Sequence, residues 1–275
     1  MPEITEASKT GPAWSDDELR DSPHARADKA GRVRDMFGSI AHAYDLNNHL
    51  HSLGIDHLWR RAAVRAAGVR SGETVFDVAC GTGDLTQAFA RHTSADEIIG
   101  GDFTPRMLDL AREKQRKLAS DDRSRIRYVD ADAMALDRAD ASVDVLSIAF
   151  GIRNVQDVPR ALAEFRRVLR PGGRLVILEF DRPRNPLVRV GNDFYSGWLM
   201  PRTASLIARD RSGAYRYLPK SVETFLTMRE MATLVEDAGF TGVTTRSLTL
   251  GIAGVLRGEV PSEVPSEVPG EVPGG

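Results

Sequence analysis

The sequence predicts an α/β fold built on a doubly wound, mostly parallel sheet. Short apolar, β-branched runs alternate with segments of helical spacing. Those runs are apolar on both faces, as strands covered from two sides must be. The first run ends in a glycine turn, Gly81-Thr82-Gly83, where such a sheet places its ligand.

In chain order, residues 31–70 read as N-terminal helices. Thr74–Ala79 is a short β-branched strand, and Asp84–Arg91 has helical spacing with Leu85, Ala88 and Phe89 on one face. Glu97–Asp102 is apolar again and leads into Thr104-Pro105. Threonine is a favoured N-cap and proline a favoured first helical residue, so a helix is predicted from there to about Leu118. Ile126–Val129 and Val143–Phe150 read as further strands. Asp157–Leu169 reads as a helix stopped by Pro171-Gly172-Gly173, with a strand over Arg174–Phe180. An aromatic-rich insertion over 181–226 follows. Then come a helix at about Met228–Ala238, a Gly239 stop and two strands near Val243–Leu248 and Ile252–Leu256.

The chain of 275 residues is long enough for a sizeable core, and 41% hydrophobic content with a formal charge of −2 excludes a disordered or fibrous protein. A single cysteine forms neither an internal disulfide nor a thiolate metal cage, which suits a reducing, cytoplasmic setting. No apolar run approaches the roughly 18 residues of a membrane helix, and the Met1–Glu6 start does not read as a signal peptide. Charge is uneven. Residues 1–30 carry seven acids and four bases, and 258–275 repeat Glu-Val-Pro with four acids and no base, leaving 33 bases and 28 acids in 31–257. Both ends are polar and rich in Pro or Gly, so 1–30 and 258–275 are expected to be disordered around a 31–257 domain.

Polar groups gather at three successive strand ends. Asp77 precedes the glycine turn, whose Gly81 and Gly83 let the backbone bend sharply and approach a bound molecule. Asp102 ends the next strand, where a carboxylate can accept hydrogen bonds from both hydroxyls of a ribose. Asp132 follows the third strand, placed to meet an adenine edge. A dinucleotide turn needs G-x-G-x-x-G, but here Thr86 takes the third-glycine place. Asp84 would set a negative charge beside any phosphate at the helix start. An acid there suits a cationic ligand such as S-adenosylmethionine.

Further motifs narrow the reading. They include Arg34-Asp35-Met36-Phe37, Tyr44-Asp45-Leu46 with Asn48, Leu53-Gly54-Ile55-Asp56 with Trp59-Arg60, and Asp77–Leu85. Later come Phe150-Gly151-Ile152-Arg153-Asn154-Val155, Arg167–Gly173, Leu178-Glu179-Phe180, Asp193-Phe194-Tyr195-Ser196 and Ala214-Tyr215-Arg216-Tyr217-Leu218-Pro219. Across Val33–Arg257 the sequence resembles the ubiquinone/menaquinone biosynthesis C-methyltransferases, demethylmenaquinone methyltransferase among them.

The resemblance implies a Rossmann-like class I methyltransferase fold: seven strands, the last antiparallel. It implies methyl transfer from S-adenosylmethionine to a ring carbon of a polyprenyl quinol, either demethylmenaquinol or a methoxybenzoquinol precursor of ubiquinol. Carried over residue by residue, its cofactor positions fall on Thr82, Asp102, Asp132 and Ala133, and on Ala149, which lacks the hydroxyl often found there. Arg209–Gly213 departs from the family's usual run.

A quinol ring carbon is a poor nucleophile until a neighbouring hydroxyl loses its proton. Arg153 and Asn154 follow the Val143–Phe150 strand and so face the ligand crevice. Arg153 is the candidate for stabilising the developing phenolate, with Asn154 and Tyr44 orienting the ring or a water. A salt bridge from Arg153 to Asp157 is the competing reading. The reaction requires no metal. His42, His49, His51 and His57 crowd the N-terminal region, but no acid or cysteine is expected to complete a metal set. Cys80 reads as a small buried filler, not a reactive thiol. Phe194, Tyr195, Trp198, Tyr215 and Tyr217 fall within 24 residues, as core or as a lid that takes a prenyl tail and touches a bilayer. The resulting expectation is a cytoplasmic protein with transient contact at the inner face of the cytoplasmic membrane. No nucleic-acid surface is evident, and a homodimer is compatible with the sequence. The rivals are a nicotinamide-dependent Rossmann oxidoreductase and a non-catalytic S-adenosylmethionine-binding subunit.

Overall fold

The computed structural model describes Trp14 and residues 23–195 and 214–262. The strands predicted from apolar patterning are β1 (Thr74–Val78), β2 (Glu97–Asp102), β3 (Ile126–Asp130), β4 (Val143–Ala149), β5 (Leu169–Phe180), β6 (Thr241–Leu248) and β7 (Ala253–Glu259). They form one sheet in the order β3-β2-β1-β4-β5-β7-β6. The pairs among β1–β5 are parallel. β7 runs antiparallel to β5 and β6, between them. The strand order reverses between β1 and β4, and in open α/β sheets the crevice at such a switch point holds the ligand.

Both faces of the sheet are covered. Helices α1 (Lys29–His51) and α2 (Asp56–Ala67) precede it, and α3 (Asp84–His92) and α4 (Pro105–Gln115) follow the first two strands. Trp59 and Ala63 of α2, Phe89 of α3 and Leu108 of α4 pack with Val75, Ile98, Val145 and Val176 on one face. A short α5 (Ser120–Ser124) leads into β3. On the other face lies α6 (Val158–Val168), whose Val158, Ala161, Leu162, Phe165 and Val168 are buried at helical spacing. Asp157 caps it by accepting from the Arg160 N–H at 3.0 Å. Helices α7 (Pro186–Phe194) and α8 (Ala214–Glu223) occupy the insertion, and α9 (Met228–Asp237) brings Met231 and Val235 into the second core.

Several expectations need correction. Helix α4 stops at Gln115, short of Leu118, and Thr104 makes no side-chain cap. Pro171-Gly172-Gly173 does not separate helix from strand. Val143 pairs with Leu169 and Val145 with Arg174, so the intervening residues bulge out of β5 and bond to Val260 instead. The expected disorder of residues 1–30 extends too far. Pro23–Ala25 form a 3-10 turn, α1 starts at Lys29, and Trp14 is fully buried among Val33, Met36, Ile40 and Tyr217. Composition alone misses this, because one indole can repay ordering that its polar neighbours cannot. At the other end β7 continues through Glu259, and 263–275 lie outside the described residues, as do Trp198 and Arg209–Gly213.

Candidate active site

The turn after β1 is stitched to the end of β2. The Gly81 N–H donates to Asp102 Oδ2 and the Thr104 N–H to Asp102 Oδ1, both at 2.8 Å. Gly81 has φ +56°, and a Cβ there would meet nothing within 4 Å, so its backbone is open to close approach. Gly83 has φ +81°, and a Cβ there would lie 2.1 Å from the Tyr128 hydroxyl, which rises from β3 beneath the turn. Burial pushes the Asp102 carboxyl above its ordinary range despite its two amide donors.

A cavity of about 300 Å³ opens beyond these strand ends. Gly81, Asp102, Asp132, Ala133 and Ala149 line it, and Asn154 and Tyr44 face the same space. Asp130 adds a third carboxylate, and Arg34 of α1 borders the far side. The structure therefore brings together seven residues that the sequence singled out. Ala149, lacking a hydroxyl, offers only backbone polar groups.

Four others lie behind the wall. Both oxygens of Asp77 are taken, Oδ2 by the Thr86 hydroxyl (2.6 Å) and Oδ1 by the Ser147 hydroxyl (2.8 Å), and burial raises this carboxyl to about 6. Gly83 supports the turn against Tyr128. Thr82 donates to Asp45 Oδ1 (2.5 Å) and accepts from Lys114 Nζ (3.1 Å). Arg153 is enclosed, paired with Glu179 and over the Phe180 ring at 5.4 Å. Arg153 pairs with Glu179 and not with Asp157, whose carboxylate caps α6. Among the described residues, Arg153 Nε and Glu179 Oε2 have no hydrogen-bond partner.

Two further expectations change. Burial pushes Asp84 upward, but Arg60 (3.4 Å) and Lys114 outweigh it and hold the carboxyl below its usual range. Its charge is thus spent inside the fold, and the preference for a cationic ligand does not rest on Asp84. The expectation that no acid joins the histidines also fails: ligand atoms of His49, Asp56 and His57 lie within 4.8 Å of one another. The His49 and His57 rings stack with centroids 4.5 Å apart, and Asp56 already accepts from His49 (2.9 Å), Ser52 (2.6 Å) and Arg60. Cys80 is half-buried, not the fully enclosed filler expected, although desolvation pushes its thiol well up.

Sequence reasoning missed the Asp45–Lys114–Asp84 cluster, the Glu179 partner and the placement of Trp14. The first two join residues far apart in the chain, with no local signal. Tyr217 belongs to the Ala214–Pro219 motif and the aromatic stretch, but nothing local signals that it donates to Asn154 Oδ1 at 2.9 Å.

S-adenosylmethionine fits these residues. A partly satisfied carboxylate, Asp102, sits in the cavity wall beside a backbone left open at Gly81, and Thr86 occupies the place a pyrophosphate turn keeps for glycine. The sequence model of the ubiE/COQ5 methyltransferase family matches residues 25–259. The chain belongs to that family. It is 43% identical over 234 residues to a demethylmenaquinone methyltransferase of Deinococcus radiodurans, covering 85% of this chain and 95% of the relative. It is 41% identical over 235 residues to the ubiquinone/menaquinone biosynthesis C-methyltransferase UbiE of Pseudoalteromonas translucida, with coverage of 85% and 92%. Among solved structures, a SAM-dependent methyltransferase of Thermotoga maritima superposes with TM-score 0.57 at 19% identity, covering 83% of this chain and 99% of that one. A Haemonchus contortus phosphoethanolamine N-methyltransferase in complex with S-adenosyl-L-methionine superposes with TM-score 0.53 at 14% identity, covering 74% and 52%. These likenesses establish the class I fold of the ubiE/COQ5 chain. Among the described residues, no helix is long and apolar enough to cross a membrane.

Proposed function

We propose that this ubiE/COQ5 methyltransferase C-methylates the ring of a polyprenylated quinol, converting demethylmenaquinol to menaquinol or adding the ring methyl to a methoxybenzoquinol precursor of ubiquinol. The observation that carries the reading is one cavity, in a chain of this family, lined by Asp102 and Asp132 and also by Asn154 and Tyr44. When bound, S-adenosylmethionine supplies an electrophilic methyl on a sulfonium. Asp102 would accept from the ribose hydroxyls, Asp132 and Ala133 would meet the adenine edge, and the Gly81 backbone would frame the remainder, with Thr82 and Gly83 bracing the turn from behind. Asp77 holds that turn from beneath, and the Ala149 backbone closes one side.

The protein's part in the chemistry is alignment, exclusion of water and stabilisation of charge on the quinol oxygen. Loss of a hydroxyl proton to water pushes electron density into the ring. The enriched carbon would take the methyl as its C–S bond breaks, the bonding pair returning to sulfur to leave the neutral thioether S-adenosylhomocysteine. The ring carbon would then lose its own proton to water and restore the aromatic quinol. Asn154 donates to the developing phenolate, while Tyr44 orients the ring against it. Arg153, ion-paired with Glu179 behind the cavity wall, acts on the quinol oxygen only indirectly, through the loop that carries Asn154. Holding both reactants in line removes up to about 7–11 kcal/mol of barrier.

The tail of the substrate is proposed to lead to transient contact at the inner face of a membrane. Leu187, Val190 and Phe194, exposed on one face of α7, support that contact. Flotation with anionic liposomes tests it, and protein left wholly in the soluble fraction counts against it. The activity itself is tested by incubating purified protein with S-adenosylmethionine and each quinol, reading product mass. A gain of one methyl is expected; nicotinamide nucleotide binding without that gain overturns the assignment.

A further inference from the structure

Asn154 lines the cavity, whereas Tyr217 and Trp14 are buried behind it. The Tyr217 hydroxyl donates to Asn154 Oδ1 at 2.9 Å, which occupies one lone pair of the carboxamide oxygen and turns that oxygen toward Tyr217. What remains is the NH₂ end, a pure donor. Burial raises the Tyr217 phenol further above its ordinary range, so it keeps the proton it donates. The amide is thereby fixed in the orientation that favours an oxyanion over another donor.

Tyr217 is itself held. Its ring stacks on Trp14 with centroids 4.7 Å apart and planes inclined by 24°, inside a cluster with Val33, Met36 and Ile40 of α1. Lys29 Nζ donates to the Val155 carbonyl at 2.7 Å, so the start of α1 grips the same loop. Trp14 lies upstream of residues 25–259, which the family model matches, so the outermost brace comes from outside that span.

We infer that Tyr217 is a positioning residue that aims the Asn154 amide at the substrate oxygen, and that Trp14 locks Tyr217 in place. The inference rests on the proposed role of Asn154 toward a quinol. If it holds, Trp14 is a determinant of the rate of methyl transfer without touching either reactant.

Tyr217→Phe, Asn154→Ala and their double variant test it. Tyr217→Phe keeps the stack and is expected to lower kcat roughly ten-fold, less than the loss of about 10²–10³ when an oxyanion donor itself is removed. KM for S-adenosylmethionine should stay within about two-fold, because that step does not use the amide. In the double variant the Tyr217 change should cost nothing further, since it acts only through Asn154. Trp14→Ala should lower kcat and Trp14→Phe should restore most of it. Additive losses, or a Tyr217→Phe enzyme at full rate, overturn the inference. A second readout needs no turnover: the side-chain amide ¹⁵N–¹H resonances of Asn154, assigned by their absence in Asn154→Ala, should shift in Tyr217→Phe. Unmoved resonances overturn the contact, whereas a wild-type protein that methylates neither quinol defeats only the proposed activity.

Discussion

The Thr86 hydroxyl donates to Asp77 at 2.6 Å from the position where a dinucleotide-binding turn has its third glycine. Both residues are buried, so the helix after the turn is tied to the sheet by a side chain, not by close backbone packing. Thr86→Val keeps the shape and removes the donor. It should destabilise the fold by about 1–3 kcal/mol in urea unfolding, the cost of an under-satisfied buried acceptor. An unchanged midpoint would mean that water replaces the hydroxyl.

Asp77 also sets a pH dependence. Its carboxyl is raised to about 6 in the folded protein, chiefly by burial, from an ordinary value of 3.8. The native state therefore binds this proton more tightly than the unfolded chain does, and stability falls as pH rises between about 4 and 6. Asp77→Asn removes that contribution. The stability of the variant relative to wild type should improve through this window by up to about 3 kcal/mol at pH 7. Parallel curves for the two proteins would contradict the raised value.

Gly83→Ala puts a Cβ 2.1 Å from the Tyr128 hydroxyl at φ +81°. The left-handed backbone alone costs about 1–2 kcal/mol, and the collision adds to it. Tyr128→Phe in the same chain removes the colliding oxygen and should recover part of the loss. Thermal unfolding of the single and double variants reads this directly.

Asp102→Ala should weaken S-adenosylmethionine binding by about 10–100-fold in calorimetric titration, the worth of charge-assisted hydrogen bonds to a ribose. The variant also frees the Gly81 and Thr104 N–H groups, so a thermal melt is needed beside the titration. Affinity within two-fold of wild type would remove Asp102 from the binding site.

Arg153→Met leaves the enclosed Glu179 unpaired and should cost about 3–5 kcal/mol of stability as well as turnover. Adding Glu179→Gln should restore the fold while methylation stays lost and cofactor binding stays near normal. Recovery of turnover in the double variant would reduce Arg153 to a structural role.

The sheet was legible because each strand is a short apolar run with a helix of clear periodicity after it, as with Phe165 and Val168 of α6. The cavity was legible because Gly81, Asp102 and Asp132 sit at strand ends, which the topology itself brings together. Side-chain direction was not. Thr82 and Asp84 lie in the same turn as Gly81 but face Lys114, which comes from α4, 32 and 30 residues away. Arg153 adjoins Asn154, yet one points to Glu179 and the other to the cavity. Trp14 was hidden by its polar surroundings, since composition averages over the one residue that finds a partner.

Helix α1 is fastened to the glycine turn just past Tyr44: Asp45 meets Thr82 and Lys114, and Lys114 also holds Asp84. Loosening that flank means parting one ammonium from two carboxylates. Added salt, by screening this latch, should let the end of α1 come away from the turn more readily, read as faster amide exchange at Asp45 and Leu46.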